Sequence, residues 1–329
     1  MTMIDVTAHP TAQATEVAGT SGRARRRRRR APADQTPRHL RSNRTAYLMI
    51  APMAVLLGIF VLWPLVYAFY LSFFELSFYK DAKFVGLDFY SYVLTDPDFY
   101  DSLLVGLKFA LMVVPAILVL ALFLASFIAT LSRRASAFMK TTVYVPAVVS
   151  SVVAAIIFVF IYQDEGFANW FIGLLGKGPV AWLNTEGSAL PAVAIPAIWL
   201  GFGVSTLIML AGILDIPDSY YESAKLDGAN FLQRTRYITV PSLRNVILYL
   251  LVTGVTLTIQ EFQLPLVMTN GGPVNATTTP NLYIFNSFRD ATPYATSYSL
   301  TAALLLFIVI GTISIIIFRV VSSEKSSDA

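Results

Sequence analysis

The chain has 329 residues, of which 56% are hydrophobic and 13% charged, with a formal net charge of +4 and no cysteine. A soluble chain of this size carries roughly a quarter charged residues, so long stretches have been emptied of charge and the composition points to a polytopic membrane protein. Without cysteine there is no disulfide framework and no thiolate metal site or nucleophile, and His9 and His39 both lie near the N-terminus, which excludes an imidazole metal or proton-relay site inside the apolar spans.

Residues 1–45 form a polar tail with Arg23, the run Arg25–Arg30, then Arg38, Arg41 and Arg44. It shows neither helical nor strand periodicity and reads as disordered. The arginine run suits a cytoplasmic anchor that fixes topology, compatible with binding anionic lipid. No folded basic surface accompanies it, so nucleic acid is not an expected partner. The apolar stretch after Arg44 is too long for a signal-peptide core, and no small-x-small site closes it.

The spacing of apolar runs predicts six spans: Ala46–Phe74, Ser102–Leu131, Thr142–Tyr162, Leu190–Leu214, Val246–Met268 and Tyr298–Val320. Each is long enough for a hydrocarbon core about 30 Å thick, and each reads as helix, because an open strand cannot satisfy its backbone in lipid. The expected fold is therefore all-α, with a six-helix transmembrane domain over residues 46–321 and a short tail at 322–329. With both termini in the cytoplasm, 19 of the 24 Lys and Arg residues fall on the inner side, and Asp81, Asp88, Asp96, Asp98, Asp101, Asp164, Glu165 and Glu186 on the outer. That is the positive-inside pattern. The outer loops Glu75–Asp101, Gln163–Ala189 and Thr269–Ser297 are too short for a second globular domain; the last holds Asn270-Gly271-Gly272-Pro273, a turn signal.

Three features inside the spans bear on a transport path. Glu261 is the one clear intramembrane carboxylate. A charge there is costly enough to suggest a role, either lining a cavity or bonding a neighbouring helix. Gln260 and Gln263 flank it at helical spacing, and amides beside aromatic rings such as Phe262 and Trp199 suit a neutral polyol. Gly254, Pro265 and Pro196 either break helices beside the cavity or allow close packing. Lys108 is near enough to its span's end to snorkel.

The longest polar interruption in the second half is Asp215–Pro241, between the fourth and fifth spans. Pro217 ends the preceding helix. Ser219 and Glu222 have the spacing of a capping box, Gly228 is placed to leave a helix in the left-handed conformation, Asn230 can cap a second short helix, and Pro241 is expected to stop it. The element reads as a rigid helix–turn–helix.

The order Glu222-Ser223-Ala224, then Gly228, then Ile238-Thr239-Val240-Pro241 resembles the EAA signature of binding-protein-dependent ABC importer permeases, with Ser223 for Ala and Val240 for Leu. ESAKLDGAN is close to the form found in the carbohydrate-uptake branch. Gly166 to Trp170 with Asn169, Trp182, Trp199, Ala211-Gly212 and Thr269–Pro273 followed by Thr277–Thr279 also resemble that branch, the last in the manner of the maltose-permease first subunit. The resemblance covers roughly residues 45–321. It implies a bacterial inner-membrane subunit in which Glu222, Ser223, Ala224, Asp227, Gly228, Ile238 and Pro241 form the coupling loop that docks on a cytoplasmic ATPase. The implied partners are a homologous second permease subunit, two ATPase subunits carrying ATP with Mg, an external solute-binding protein and a sugar. Asn169, Trp199, Gln260, Glu261 and Gln263 are the substrate-path candidates.

No phosphate-binding loop occurs, and Gly176-Lys177-Gly178 has no strand before it, so no ATP hydrolysis, no cofactor, no metal site and no catalytic residue are expected of this chain. A secondary transporter would call for internal repeats and paired intramembrane charges, neither of which is evident. Another cargo of the same importer class, such as glycerol-3-phosphate, would want Arg or Lys in the path.

Overall fold

The computed structural model describes residues 43–76 and 81–323. The arginine run, His9 and His39 lie outside the described residues, as do the last six. The chain divides into two units after Leu57. In the first, the described part is α1 (Asn43–Leu57). The second opens with a π turn, Gly58–Leu62, and α2 (Trp63–Leu71). A two-stranded antiparallel ladder follows, β1 (Phe74–Glu75) with β2 (Lys83–Phe84), which sets Phe74 opposite Phe84. Then come α3 (Asp88–Thr95), α4 (Pro97–Ala129), α5 (Arg133–Tyr144), α6 (Ser151–Ile161), α7 (Phe167–Leu174) and α8 (Glu186–Leu214). The loop after α8 contains α9 (Asp218–Leu226), α10 (Phe231–Arg234) and α11 (Val240–Ser242). The chain finishes with α12 (Arg244–Ile259), α13 (Gln263–Thr269), α14 (Pro280–Arg289) and α15 (Ala295–Ser323).

Among the described residues, four helical stretches are long and apolar enough to cross a membrane, or up to six if each of two bent pairs counts as one span. The four are Tyr47–Leu71, Pro97–Ala129, Glu186–Leu214 and Ala295–Val320. They match the first, second, fourth and sixth spans expected from the sequence. The longest, α4, starts cleanly because Asp96 accepts the Asp98 N–H at 2.9 Å and Pro97 occupies the first position, where no N–H is required.

The third and fifth expected spans are not single rods. Thr142–Tyr162 is broken: a 3₁₀ turn at Val145–Val148 and two extended residues, Val149 and Ser150, set α5 and α6 at 92°. Apolarity runs through this break without a mark, so periodicity alone missed it. The bend is set by contact with α8, where Gly203 brings its backbone so close that an added Cβ would lie 2.3 Å from the Val143 carbonyl. The fifth span ends as a helix at Ile259 and resumes at Gln263. The interruption contains neither Gly254 nor Pro265. Gly254 sits within α12, where an added Cβ would lie 3.2 Å from the Val114 side chain, Pro265 is the third residue of α13, and α8 runs through Pro196 without a break. Close packing by small residues is thus the role of Gly254.

Two buried clusters lie along the α4–α8 pair. One joins Phe109 and Val113 to Ala155, Val193 and Leu264. The other joins Ala121 and Ala125 to Met209, Leu243 and Leu250. Leu243, 1% exposed, comes from the residue that separates α11 from α12. It fits against Gly212, whose added Cβ would meet its Cδ2 at 2.6 Å. The polar loop between α8 and α12 is therefore fastened to both flanking helices.

Candidate functional site

Helix α9 begins at Asp218, with Pro217 before it and no side-chain cap. The expected Ser219–Glu222 capping box is absent: Ser219 lies inside the first turn, its carbonyl accepting the Ser223 hydroxyl at 2.9 Å, and Glu222 is exposed. Pro217 starts the helix earlier than the capping pattern implied, and the acid favourable to the helix dipole is Asp218. The far end of α9 matches expectation. Gly228 has φ +78°, its N–H donates to Lys225 O at 3.1 Å, and the Ala229 N–H reaches back to Ala224 O at 2.9 Å. This is a Schellman ending, and it accounts for the spacing between Ala224 and Gly228: one carbonyl is the acceptor three residues inside the end, the other residue the left-handed one just past it.

Asn230 caps α10 through a reciprocal box, its Oδ1 accepting the Gln233 N–H at 2.9 Å while Gln233 Oε1 accepts the Asn230 N–H at 2.8 Å. A π turn, Thr235–Thr239, carries the chain on. Pro241 does not stop the helix. It takes an N-terminal position of α11, where its missing N–H costs nothing, and the break falls at Leu243. Buried Thr239 hydrogen-bonds Tyr221 at 3.0 Å and ties the two arms together. Ser223, Asp227 and Pro241 are exposed, and Ala224 and Ile238 are half-buried. Glu222 and Ser223 thus point outward on a scaffold braced from behind.

A cavity of about 570 Å³ runs between α4, α8 and α12. Its wall is mainly apolar, with hydroxyls from Ser205, Thr253, Thr256 and Thr258 and the carboxylate of Glu261. Glu261 is placed at the break in the fifth expected span. It lines the cavity, and its Oε1 accepts the Leu264 N–H at 3.1 Å, capping α13. The carbonyls freed by the break also find partners: Thr279 donates to Glu261 O at 2.7 Å, and Asn281 to Gln260 O at 2.8 Å. Irregular backbone beside a cavity survives in a membrane when its polar groups are satisfied in this way.

The other sequence candidates are not brought to this cavity. Gln260 and Gln263 are exposed, and because the helix is interrupted between them their helical spacing no longer sets them on one face. Trp199 packs its ring on Phe158 at 5.9 Å. Asn169, 6% exposed, spends its whole amide on its own loop. Nδ2 donates to Gln163 O and Val180 O, while Oδ1 accepts the Val180 N–H and the Trp182 Nε1–H, all between 2.9 and 3.2 Å.

Residues 97–326 match the family described as the binding-protein-dependent transport system inner membrane component. The chain belongs to this family. The trehalose/maltose transport system permease protein MalF of Thermococcus litoralis is 32% identical over 76% of this chain and 85% of its own length. The sulfoquinovosyl glycerol transport system permease protein SmoG of Agrobacterium fabrum is 30% identical over 85% and 91%. A chain from the crystal structure of a bacterial ABC transporter that imports the acidic polysaccharide alginate shares the fold with a TM-score of 0.69, at 21% identity, covering 85% of this chain and 95% of that one.

Two groups in this permease have structural roles that the sequence reading did not assign. The Thr277–Thr279 run is buried and folds the preceding loop on itself: Thr277 bonds Thr269 at 2.6 Å and Gly272 O at 2.9 Å, and Thr278 bonds Gly271 O at 3.1 Å. Gly271, at φ +85°, leaves room for the Thr278 hydroxyl, which would lie 2.5 Å from an added Cβ. Asp96 is the second case. It accepts from Tyr283 at 2.6 Å and from Tyr298, so α4, α14 and α15 meet at one carboxylate. Burial alone would raise its pKa, but the two hydroxyls and the Asp98 and Phe99 N–H groups outweigh that and lower it. Nothing local marks this aspartate out among its neighbours.

Proposed function

We propose that the chain is one permease subunit of an ATP-driven, binding-protein-dependent importer that carries a sugar or oligosaccharide into the cytoplasm. The observation that carries this reading is the loop α9–α11: an exposed Glu222–Ser223 edge held rigid by a Schellman end, a capping box and the Leu243 anchor. A rigid loop between two spans transmits the closure of a partner ATPase as a rigid-body movement, switching the spans between inward-open and outward-open states. The partners in this reading are a homologous second permease, two ATPase subunits with ATP and Mg, and an external solute-binding protein. A complex of the alginate-importing neighbour with its oligosaccharide-bound periplasmic protein supports the last of these.

This reading has six crossings with both termini in the cytoplasm, which the Lys and Arg distribution supports; the setting is the bacterial inner membrane. The cavity wall supports a neutral solute, since Glu261 is the one carboxylate and no Lys or Arg contributes to it among the described residues. A phosphate-bearing cargo would meet no cation there. The test is reconstitution with the adjacent-gene ATPase, permease and binding protein in liposomes. Loaded binding protein should stimulate ATP hydrolysis and sugar uptake; hydrolysis indifferent to the binding protein would defeat the proposal.

A further inference from the structure

Helix α7 (Phe167–Leu174) is apolar at every position except Asn169 and Gly173, and a helix apolar all round is ordinarily buried. This one is not. Its inner side is packed: Ala168 lies against the buried cluster that includes Tyr162, Leu190 and Ala192, and Asn169 spends its amide on the surrounding loop. Those bonds fix the rotation of the helix about its axis. Phe167, Trp170, Phe171, Leu174 and the following Leu175 are thereby turned outward, between 53% and 66% exposed, at the spacing of a single stripe. The Phe167 and Trp170 rings pack on each other at 5.6 Å, so the stripe begins as one aromatic surface.

Charge on either side sets the attitude of this helix. Asp164 and Glu165 precede it and Lys177 follows it, all exposed. Eight residues span only about 12 Å, and a charged group is costly to sink into hydrocarbon. A short helix with charges beyond both ends lies along the boundary between water and lipid, since pointing inward would bury one of them. Its depth is tied to the membrane-crossing helix α8. The Tyr162 hydroxyl donates to Ala192 O at 3.1 Å and the Ser188 hydroxyl to Trp182 O at 2.8 Å. These bonds fasten the loop to the first two turns of α8, beside exposed Glu186. Gly166 lies so close to the last turn of α6 that an added Cβ would be 2.6 Å from Phe160 O. Phe160 is itself 61% exposed, so the stripe adjoins the apolar outer surface of α6.

We propose that α7 is an interfacial anchor, lying in the plane of the membrane surface with its aromatic and leucine stripe among phospholipid acyl chains at the headgroup boundary. Trp, Phe and Leu on one side of a short helix with charged flanks is the make-up of segments that rest in a membrane surface. Lipid is favoured over a protein partner because the stripe adjoins the apolar surface of a span and is bracketed by charges at the boundary. Helix α8 runs from this loop to the loop α9–α11, so the anchor sits on the opposite side of the membrane from the coupling surface. It holds the beginning of α8 at a fixed depth while the other end follows the coupling loop.

Because the chain has no cysteine, nitroxide labels can be placed one at a time at Trp170→Cys, Phe171→Cys and Leu174→Cys, with Lys177→Cys as the water-facing control. The full chain is reconstituted in phosphatidylcholine liposomes, and collision of each label with molecular oxygen is compared with collision with a water-soluble nickel chelate. We expect the oxygen-to-nickel ratio at the three stripe positions to exceed that at position 177 severalfold. The wild-type protein gives a second reading. Phosphatidylcholine brominated near the headgroup end of its chains should quench the emission that Trp170→Phe lacks, while aqueous iodide should not. Neither reading depends on transport, so failure here leaves the importer reading standing. Labels as open to the nickel chelate as position 177, with Trp170 emission quenched by iodide, overturn the proposal. So do labels closed to both reagents on assembly with the partner permease or on addition of the solute-binding protein, which would make the stripe a protein docking face.

Discussion

The Glu261 carboxylate accepts the Leu264 N–H and at the same time faces the cavity between α4, α8 and α12, so its removal changes two things at once. Glutamine separates them, because its side-chain oxygen can keep the cap while the charge is lost. Glu261→Gln should assemble at wild-type levels and shift the KM for uptake. Glu261→Ala should in addition lose a cap worth about 1 kcal/mol, visible as a lower unfolding temperature. Wild-type uptake kinetics in the glutamine variant would leave Glu261 with the cap alone. Asn169 illustrates the opposite case. Its type and setting suited a sugar contact, but four hydrogen bonds to its own loop leave the amide nothing to offer a solute.

At the scale of elements, the loop α9–α11 works because each end is closed by its own backbone chemistry. Gly228 is the most exacting position, and an added Cβ there would meet nothing within 4 Å. A substitution acts through φ +78° alone, which costs a β-branched residue about 1–2 kcal/mol or more. Gly228→Ile should therefore insert and assemble normally yet lose ATP hydrolysis stimulated by the binding protein. Gly228→Asn, which tolerates the left-handed region, should retain most of it. Equal coupling in both variants would show that the Schellman end does not matter to transmission. The broken third span carries the same lesson about elements. Its bend depends on a contact with Gly203, about sixty residues further along the chain, and no pattern within Thr142–Tyr162 announces it.

At the scale of the molecule, two polar assemblies sit at the two ends of α4. One is the cavity of about 490 Å³ bordered by Ser126, Asp218, Tyr221 and Arg234. The other is the junction of Asp96 with Tyr283 and Tyr298, where burial and the neighbouring carboxylate also push the Tyr283 hydroxyl well above the usual tyrosine range. Because the folded pKa of Asp96 is lowered, its contribution to stability is present above the unfolded value of about 3.9 and is lost as pH falls through the folded value. Asp96→Asn should unfold at a lower temperature than wild type at neutral pH, by the equivalent of about 1 kcal/mol after allowance for partial exposure. The gap should close as the pH drops below about 4. A gap that persists unchanged in acid would mean that the charge of Asp96 does not hold α4, α14 and α15 together.

The helical class, the positions of the first, second, fourth and sixth expected spans and the helix–break–helix form of Asp215–Pro241 were legible in the amino-acid order, because they follow from local rules. An apolar run in lipid must bond its own backbone, and Gly228 and Asn230 act within a few residues of themselves. The Ser219 cap and the Pro241 stop were misread even so, since a neighbouring proline and a π turn moved the helix boundaries by a few residues. Tertiary structure decided the rest: the two breaks, the cavity wall, the release of Asn169 from any solute contact and the joining of Asp96 to residues 187 and 202 positions away. These depend on which distant groups meet when α4, α8 and α12 pack. A buried hydroxyl or carboxylate acquires its role from partners that its own stretch of chain does not contain.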